Sequence, residues 1–152
     1  MNTVLLTNLI KIRWIAIAGQ LTTLFTIFFV FNFNILLTEC LFVVSLSILV
    51  NFYSYFIQRG NSTLTDKKTF LFLLFDISQL VCLLFLTGGV FNPFVILIIA
   101  PIIISASYLS AFWTILLSLY SIILILIINF NYIPLNWEQN FITPSIYNFG
   151  IL

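Results

Sequence analysis

The chain has 152 residues, 62% of them hydrophobic and only 6% charged, with a net charge of +1. Its mean hydropathy of +1.24 lies far outside the range of a water-soluble domain, so the solvent for most of it is a lipid bilayer. Near-neutrality leaves no electrostatic handle for nucleic acid. The chain has no His, and its two cysteines, Cys40 and Cys82, both sit inside apolar runs, which removes the usual metal, nucleophile-pair and phosphoacceptor-His chemistries.

In chain order, Met1–Arg13 reads as a short, partly amphipathic head ending in Lys11 and Arg13. A first span is expected at about 14–31; it is too long for a signal-peptide core and no small-residue cleavage site follows. Asn32-Phe33-Asn34 makes a brief turn into a second span at about 35–57, with Glu39 near its start. Gln58–Lys68 is a polar loop holding Arg59, Asp66, Lys67 and Lys68. Spans three and four are expected at about 70–87 and 94–110, and a fifth at about 112–130 after a turn at Ser110–Trp113. A polar stretch with Pro134, Glu138 and Pro144 follows, and from about Tyr147 to Leu152 a sixth apolar run begins. The expected fold is therefore all-α: a polytopic membrane helix bundle of five spans plus the start of a sixth. Stopping within that run points to a piece of a longer protein, in which a completed sixth span would return the chain to the cytoplasm.

All five basic residues lie in the head or in the loop between spans two and three. The positive-inside rule then places the N-terminus in the cytoplasm, within the cytoplasmic (inner) membrane. Trp14 and Trp113 fall near the inner interface and Trp137 near the outer one, as in an aromatic belt.

Between spans three and four lies Thr87-Gly88-Gly89-Val90-Phe91-Asn92-Pro93-Phe94. Glycine adopts positive φ freely and terminates the first helix. Asn92 caps the next helix, and Pro93 suits its first position. Such a turn is either a well-capped hairpin or a glycine-lined ligand site at the membrane rim.

Polar groups inside the spans form a second feature. Asp76 lies roughly 9 Å into span three at 1.5 Å per residue. An intramembrane carboxylate costs about 2.5–3.5 kcal/mol on insertion scales, so it is expected to face the bundle interior, where protonation can relieve it. Gln20, Asn51, Ser105 and Ser118 fall at a similar depth, and Gln79 is one turn along the face of Asp76. A hydrogen-bonded layer follows, serving either as interhelical glue or as a switch coupling the outer turn to the cytoplasmic side. Pro101 is expected to loosen span four near Leu97. Both cysteines are read as packing residues, not a disulfide.

Arg13-Trp14 leading to Ala18-Gly19-Gln20-Leu21, then Asp76-x-x-Gln79-Leu80, Leu86-Thr87, Pro101 and Ser105-Ala106 resemble the membrane domain of the RegB/PrrB family of redox-sensing histidine kinases. Gly88–Phe94 fits that family's GGxxNPF heptapeptide at every specified position. The resemblance implies a quinone-sensing site at Gly88, Gly89, Phe91, Asn92, Pro93 and Phe94, with ubiquinone or a related quinone as ligand. It further implies a homodimer, ATP-dependent autophosphorylation on a His, and phosphotransfer to a response regulator. The cytoplasmic kinase domain that would do this, with its ATP site and redox-active Cys, is absent from this chain. Physically, glycine amides and the Asn92 side chain can donate to quinone carbonyls, while Phe91 or Phe94 stacks on the ring. The competing expectation is a small polytopic transporter or membrane-complex subunit using Asp76 as a proton relay, although no inverted repeat is visible. A membrane protein with a purely structural role is the third.

Overall fold

The computed structural model describes residues 4–57, 63–134 and 136–137. Arg59, Glu138, Pro144 and the apolar run from Tyr147 lie outside the described residues.

Helix α1 spans Leu6–Phe25, so the segment expected as a separate head is largely helical and carries Lys11 and Arg13 inside α1. The reason is that nothing between Leu6 and Phe25 breaks a helix except the weak interruption of Gly19. Near its end, the hydroxyls of Thr22 and Thr26 donate to the carbonyls four residues back, each at 2.8 Å. There the helix widens into a π-helical turn, Thr26–Val30. Asn32, at φ 51°, reverses the chain, and helix α2 runs Leu37–Ile57.

Helix α3 spans Asp66–Leu86. It starts before the apolar run because Thr65 is extended (φ −71°, ψ 151°) and Asp66 places a negative charge in the first turn, where the helix dipole favours it. Its 21 residues reach about 32 Å, enough to cross a hydrocarbon core of about 30 Å. The stretch expected as the fourth span starts at Pro93 as a 3₁₀ helix, Pro93–Ile98, and continues as α-helix α4, Ile99–Tyr108. Six residues at about 2.0 Å and ten at about 1.5 Å give about 27 Å, so the tighter winding lets a short segment reach almost as far. Pro101 sits in the first turn of α4, where the amide it lacks would be needed least, and the change of helix type falls at this end. Extended Ser110 separates α4 from helix α5, Ala111–Phe130.

Two-residue strands tie the connections together. β1 (Val4–Leu5) pairs antiparallel with β3 (Thr63–Leu64), bringing the starts of α1 and α3 to one end. β2 (Phe33–Asn34) pairs with β4 (Asn136–Trp137) at the other end. Two apolar clusters form the interior. One joins Leu73, Ile77 and Leu84 of α3 to Leu117 and Ile128 of α5; the other joins Ile17 and Leu24 of α1 to Cys40 and Val44 of α2 and Leu83 of α3. Helix α3 contributes to both and is the centre of the bundle. The outward faces are equally apolar: Phe130 is 80% exposed, Ile15 73% and Phe56 71%. In water such faces would aggregate, whereas in lipid they are the solvent-compatible surface. Among the described residues, four helices, beginning at Asn8, Leu37, Asp66 and Ala111, are long and apolar enough to cross a membrane.

Cys40 and Cys82 are both free thiols. Cys40 packs in the core as expected, but Cys82 is exposed on the outer face of α3, a correction to its assignment as core packing.

Candidate functional site

The turn is built by backbone geometry that only glycine adopts cheaply. Gly88 has φ 104° and Gly89 φ 64°. A single 3₁₀ turn, Gly89–Phe91, leads to Asn92, which is extended (φ −74°, ψ 122°) and caps the following helix by accepting from the Phe94 amide at 2.9 Å. The Asn92 amide nitrogen donates to the Thr87 carbonyl at 2.9 Å and to the Thr87 hydroxyl at 2.8 Å. Thr87 in turn donates to the Leu83 carbonyl at 2.7 Å. Asn92 is thus a buried clasp across the turn, 4% exposed, with both amide hydrogens directed at Thr87. This differs from its expected role as a free donor toward a ligand.

The segment after α5 covers the turn. The Ile133 amide donates to the Phe85 carbonyl at 2.9 Å, Tyr132 lies against Gly89, and the Tyr132 and Phe91 rings stand 5.6 Å apart. Replacing Asn92 by Ala removes a helix cap and two further buried bonds, so it should lower stability by about 1–3 kcal/mol. Unfolding in mild detergent measures this, and a change below a few tenths would refute the clasp.

A cleft of about 450 Å³ opens between α1, α3 and the Pro93–Tyr108 segment. It runs from Asp76, past Gln20 and Gln79, to Thr87, Asn92 and Phe94. Of the residues expected to hold a quinone, Asn92 and Phe94 line it; Gly88, Gly89, Phe91 and Pro93 are not among its walls.

The expected polar layer resolves into separate cross-helix pairs. Gln20 and Gln79 exchange reciprocal amide bonds of 3.3 and 3.0 Å. Asn51, fully buried, donates to the Ile10 carbonyl at 3.3 Å and lies outside the cleft. Ser78 meets the Tyr120 hydroxyl at 2.8 Å, and Ser105 meets Thr114 at 3.0 Å; Ser118 bonds back into its own helix. The residue missed from the sequence is Arg13. Its Nε and Nη2 donate to one Asp76 oxygen at 2.8 and 2.6 Å, and its guanidinium lies over the rings of Phe72 and Phe75, 5.1 and 5.5 Å from their centroids. The signal was a basic residue next to the first apolar run, a ready counter-ion for an acid placed well inside span three. Asp76 is therefore charge-paired, and it lines the inner end of the cleft.

Fold and site together define a helical membrane protein with a ligand-sized internal cleft that is apolar except for a few convergent polar groups. Over 147 residues, 95% of its length, the chain is 34% identical to the sensor histidine kinase RegB of Cereibacter sphaeroides, covering 32% of that protein. It is also 35% identical over 75 residues, 49% of this chain and 16% of the relative, to the RegB of Cereibacter sphaeroides strain ATCC 17023. No family model and no solved structure matches it. The chain belongs to the RegB sensor histidine kinase family, and it spans about a third of the length of the first of these relatives.

Proposed function

We propose that this chain is the membrane sensor portion of a redox-responsive two-component histidine kinase, and that it reads the quinone pool at the Gly88–Phe94 turn. The observation that carries this reading is that Asn92 and Phe94 of the turn form one end of the 450 Å³ cleft. Its size and mainly apolar walls suit a quinone ring with part of its tail, and Phe94 supplies a stacking face. A bound quinone would bring redox state as the sensed variable; the protein residues bind and orient it.

In this reading the N-terminus is cytoplasmic, and the chain crosses the cytoplasmic membrane with five spans and the start of a sixth. The shared end of β1, β3 and the charged starts of α1 and α3 support that orientation. The whole protein, as a homodimer, would couple the cleft to ATP-dependent His phosphorylation and transfer to a response regulator. The Arg13–Asp76 pair weighs against a proton-relay transporter, because Asp76, which unlike Glu39 and Asp66 lies away from a helix start, is already matched by a cation.

Ubiquinone binding to the chain in lipid nanodiscs, followed by quenching of its tryptophan fluorescence, tests the reading. Saturable binding is expected, with Phe94→Ala weakening it about five- to tenfold through loss of the stacking face. Absence of saturable binding to the wild-type chain would sink the proposal.

A further inference from the structure

The turn end of the cleft has little free hydrogen-bonding capacity. Asn92 directs both amide hydrogens at Thr87, and Gly89 is covered by Tyr132. The other polar level, at Gln79, lies eight residues back along α3, about 12 Å inward. A single six-membered ring is shorter than that, so one head group cannot serve both levels.

At this inner level Gln20 and Gln79 pair reciprocally. A primary amide offers two N–H donors and two acceptor positions. The reciprocal pair uses one of each, so each glutamine keeps one donor and one acceptor. Ser47, on α2, lines the same cleft. It is 6% exposed, and its hydroxyl has no partner among the described residues. Its helical counterparts Ser45, Ser54, Ser78, Ser107, Ser118 and Ser121 each return the hydroxyl to a carbonyl three or four residues back. An unpartnered buried hydroxyl is costly and uncommon. Gly19 also lines the cleft, and a Cβ placed on it meets no atom within 4 Å. The cleft inward of the turn thus combines open space with spare donors and acceptors.

We propose that Gln20, Gln79 and Ser47 form a second head-group station in the cleft, taking the polar end of a flat, apolar molecule that carries carbonyl or hydroxyl oxygens. The proposal rests on the quinone reading and deepens it by adding a second, inner position for the head. Amide and hydroxyl groups both donate and accept, so the same three side chains suit either redox form. They donate N–H or O–H to a quinone carbonyl and accept O–H from a hydroquinone. Leu80, Leu83 and Leu97 line the cleft between this level and the turn and receive the apolar tail. Asp76 is one helical turn from Gln79, so occupancy of the station is felt beside the Arg13–Asp76 pair.

The test is photolabelling of the full chain in nanodiscs with an azido-benzoquinone, with adducts mapped by mass spectrometry. Adducts on α1, α2 and α3 at the level of Gln20, Ser47 and Gln79 are expected. The double variant Gln20→Leu/Gln79→Leu removes both amides together, which is kinder to folding than removing one. It should lower quinone affinity about tenfold with little change in melting temperature. Gly19→Leu fills the open space without removing a bond and should suppress inner labelling even if the double variant folds poorly. Adducts confined to Phe91–Phe94, or undiminished inner labelling in Gly19→Leu, would overturn the inner station and leave the quinone reading standing. Complete absence of saturable labelling would overturn both.

Discussion

Asp76→Asn should destabilise the protein by about 3–5 kcal/mol, because it leaves the Arg13 guanidinium buried without its anion. Arg13 is only 8% exposed and makes both of its hydrogen bonds to the same Asp76 oxygen. Flanking Phe72 and Phe75 rings offer a cation some attraction, but far less than a carboxylate does. Arg13→Met should cost a similar amount by stranding the carboxylate among apolar side chains. The double variant Arg13→Met/Asp76→Leu should recover most of the loss, since an apolar pair of similar volume carries no desolvation cost. Reversible unfolding in mixed micelles of the four proteins gives the coupling energy. If the single-variant losses simply add in the double variant, the ion pair is not the cause.

Gly89→Ala has the next largest expected effect, about 2–5 kcal/mol. At φ 64° a side chain costs about 1–2 kcal/mol in left-handed backbone. The new Cβ would also stand 2.6 Å from both Cβ and Cγ of Tyr132. Neither atom is the far end of a flexible side chain, so the segment after α5 must shift, an overpacking penalty of about 1–3 kcal/mol. Gly19→Ala is the internal control. It lies in mid-helix, its Cβ meets nothing within 4 Å, and it should be neutral or stabilising by up to about 1 kcal/mol. Melting curves of the two variants side by side decide the matter. Equal stabilities would mean that Tyr132 does not press on the turn.

Much of the local architecture was legible from residue order alone. Long apolar runs bounded by polar turns demand helices in lipid, because every backbone amide must be satisfied within its own segment. Gly88-Gly89 and Asn92-Pro93 encode the stop and restart between α3 and the next helix through preferences that act within a few residues. Asn92 shows the limit of that logic. Its capping role is local and was visible, but its clasp on Thr87, which occupies the hydrogens a ligand would need, depends on the path of the folded turn.

The remaining features belong to contacts between distant segments. Arg13 and Asp76 are 63 residues apart, and Gln20 and Gln79 are 59. Tyr132 reaches Gly89 from beyond α5, and Ser47 joins the cleft from α2. In a soluble protein, alternation of polar and apolar faces would announce which side of each helix turns inward. Here the lipid-facing and core-facing sides are both apolar, so helix rotation leaves almost no periodic trace in the sequence. Residue order determined that the chain forms membrane-length helices around a capped glycine turn. Only the packing of α1 against α3 decided that the lone acid meets a cation, that the two glutamines meet each other, and that a cleft runs between those pairs and the turn.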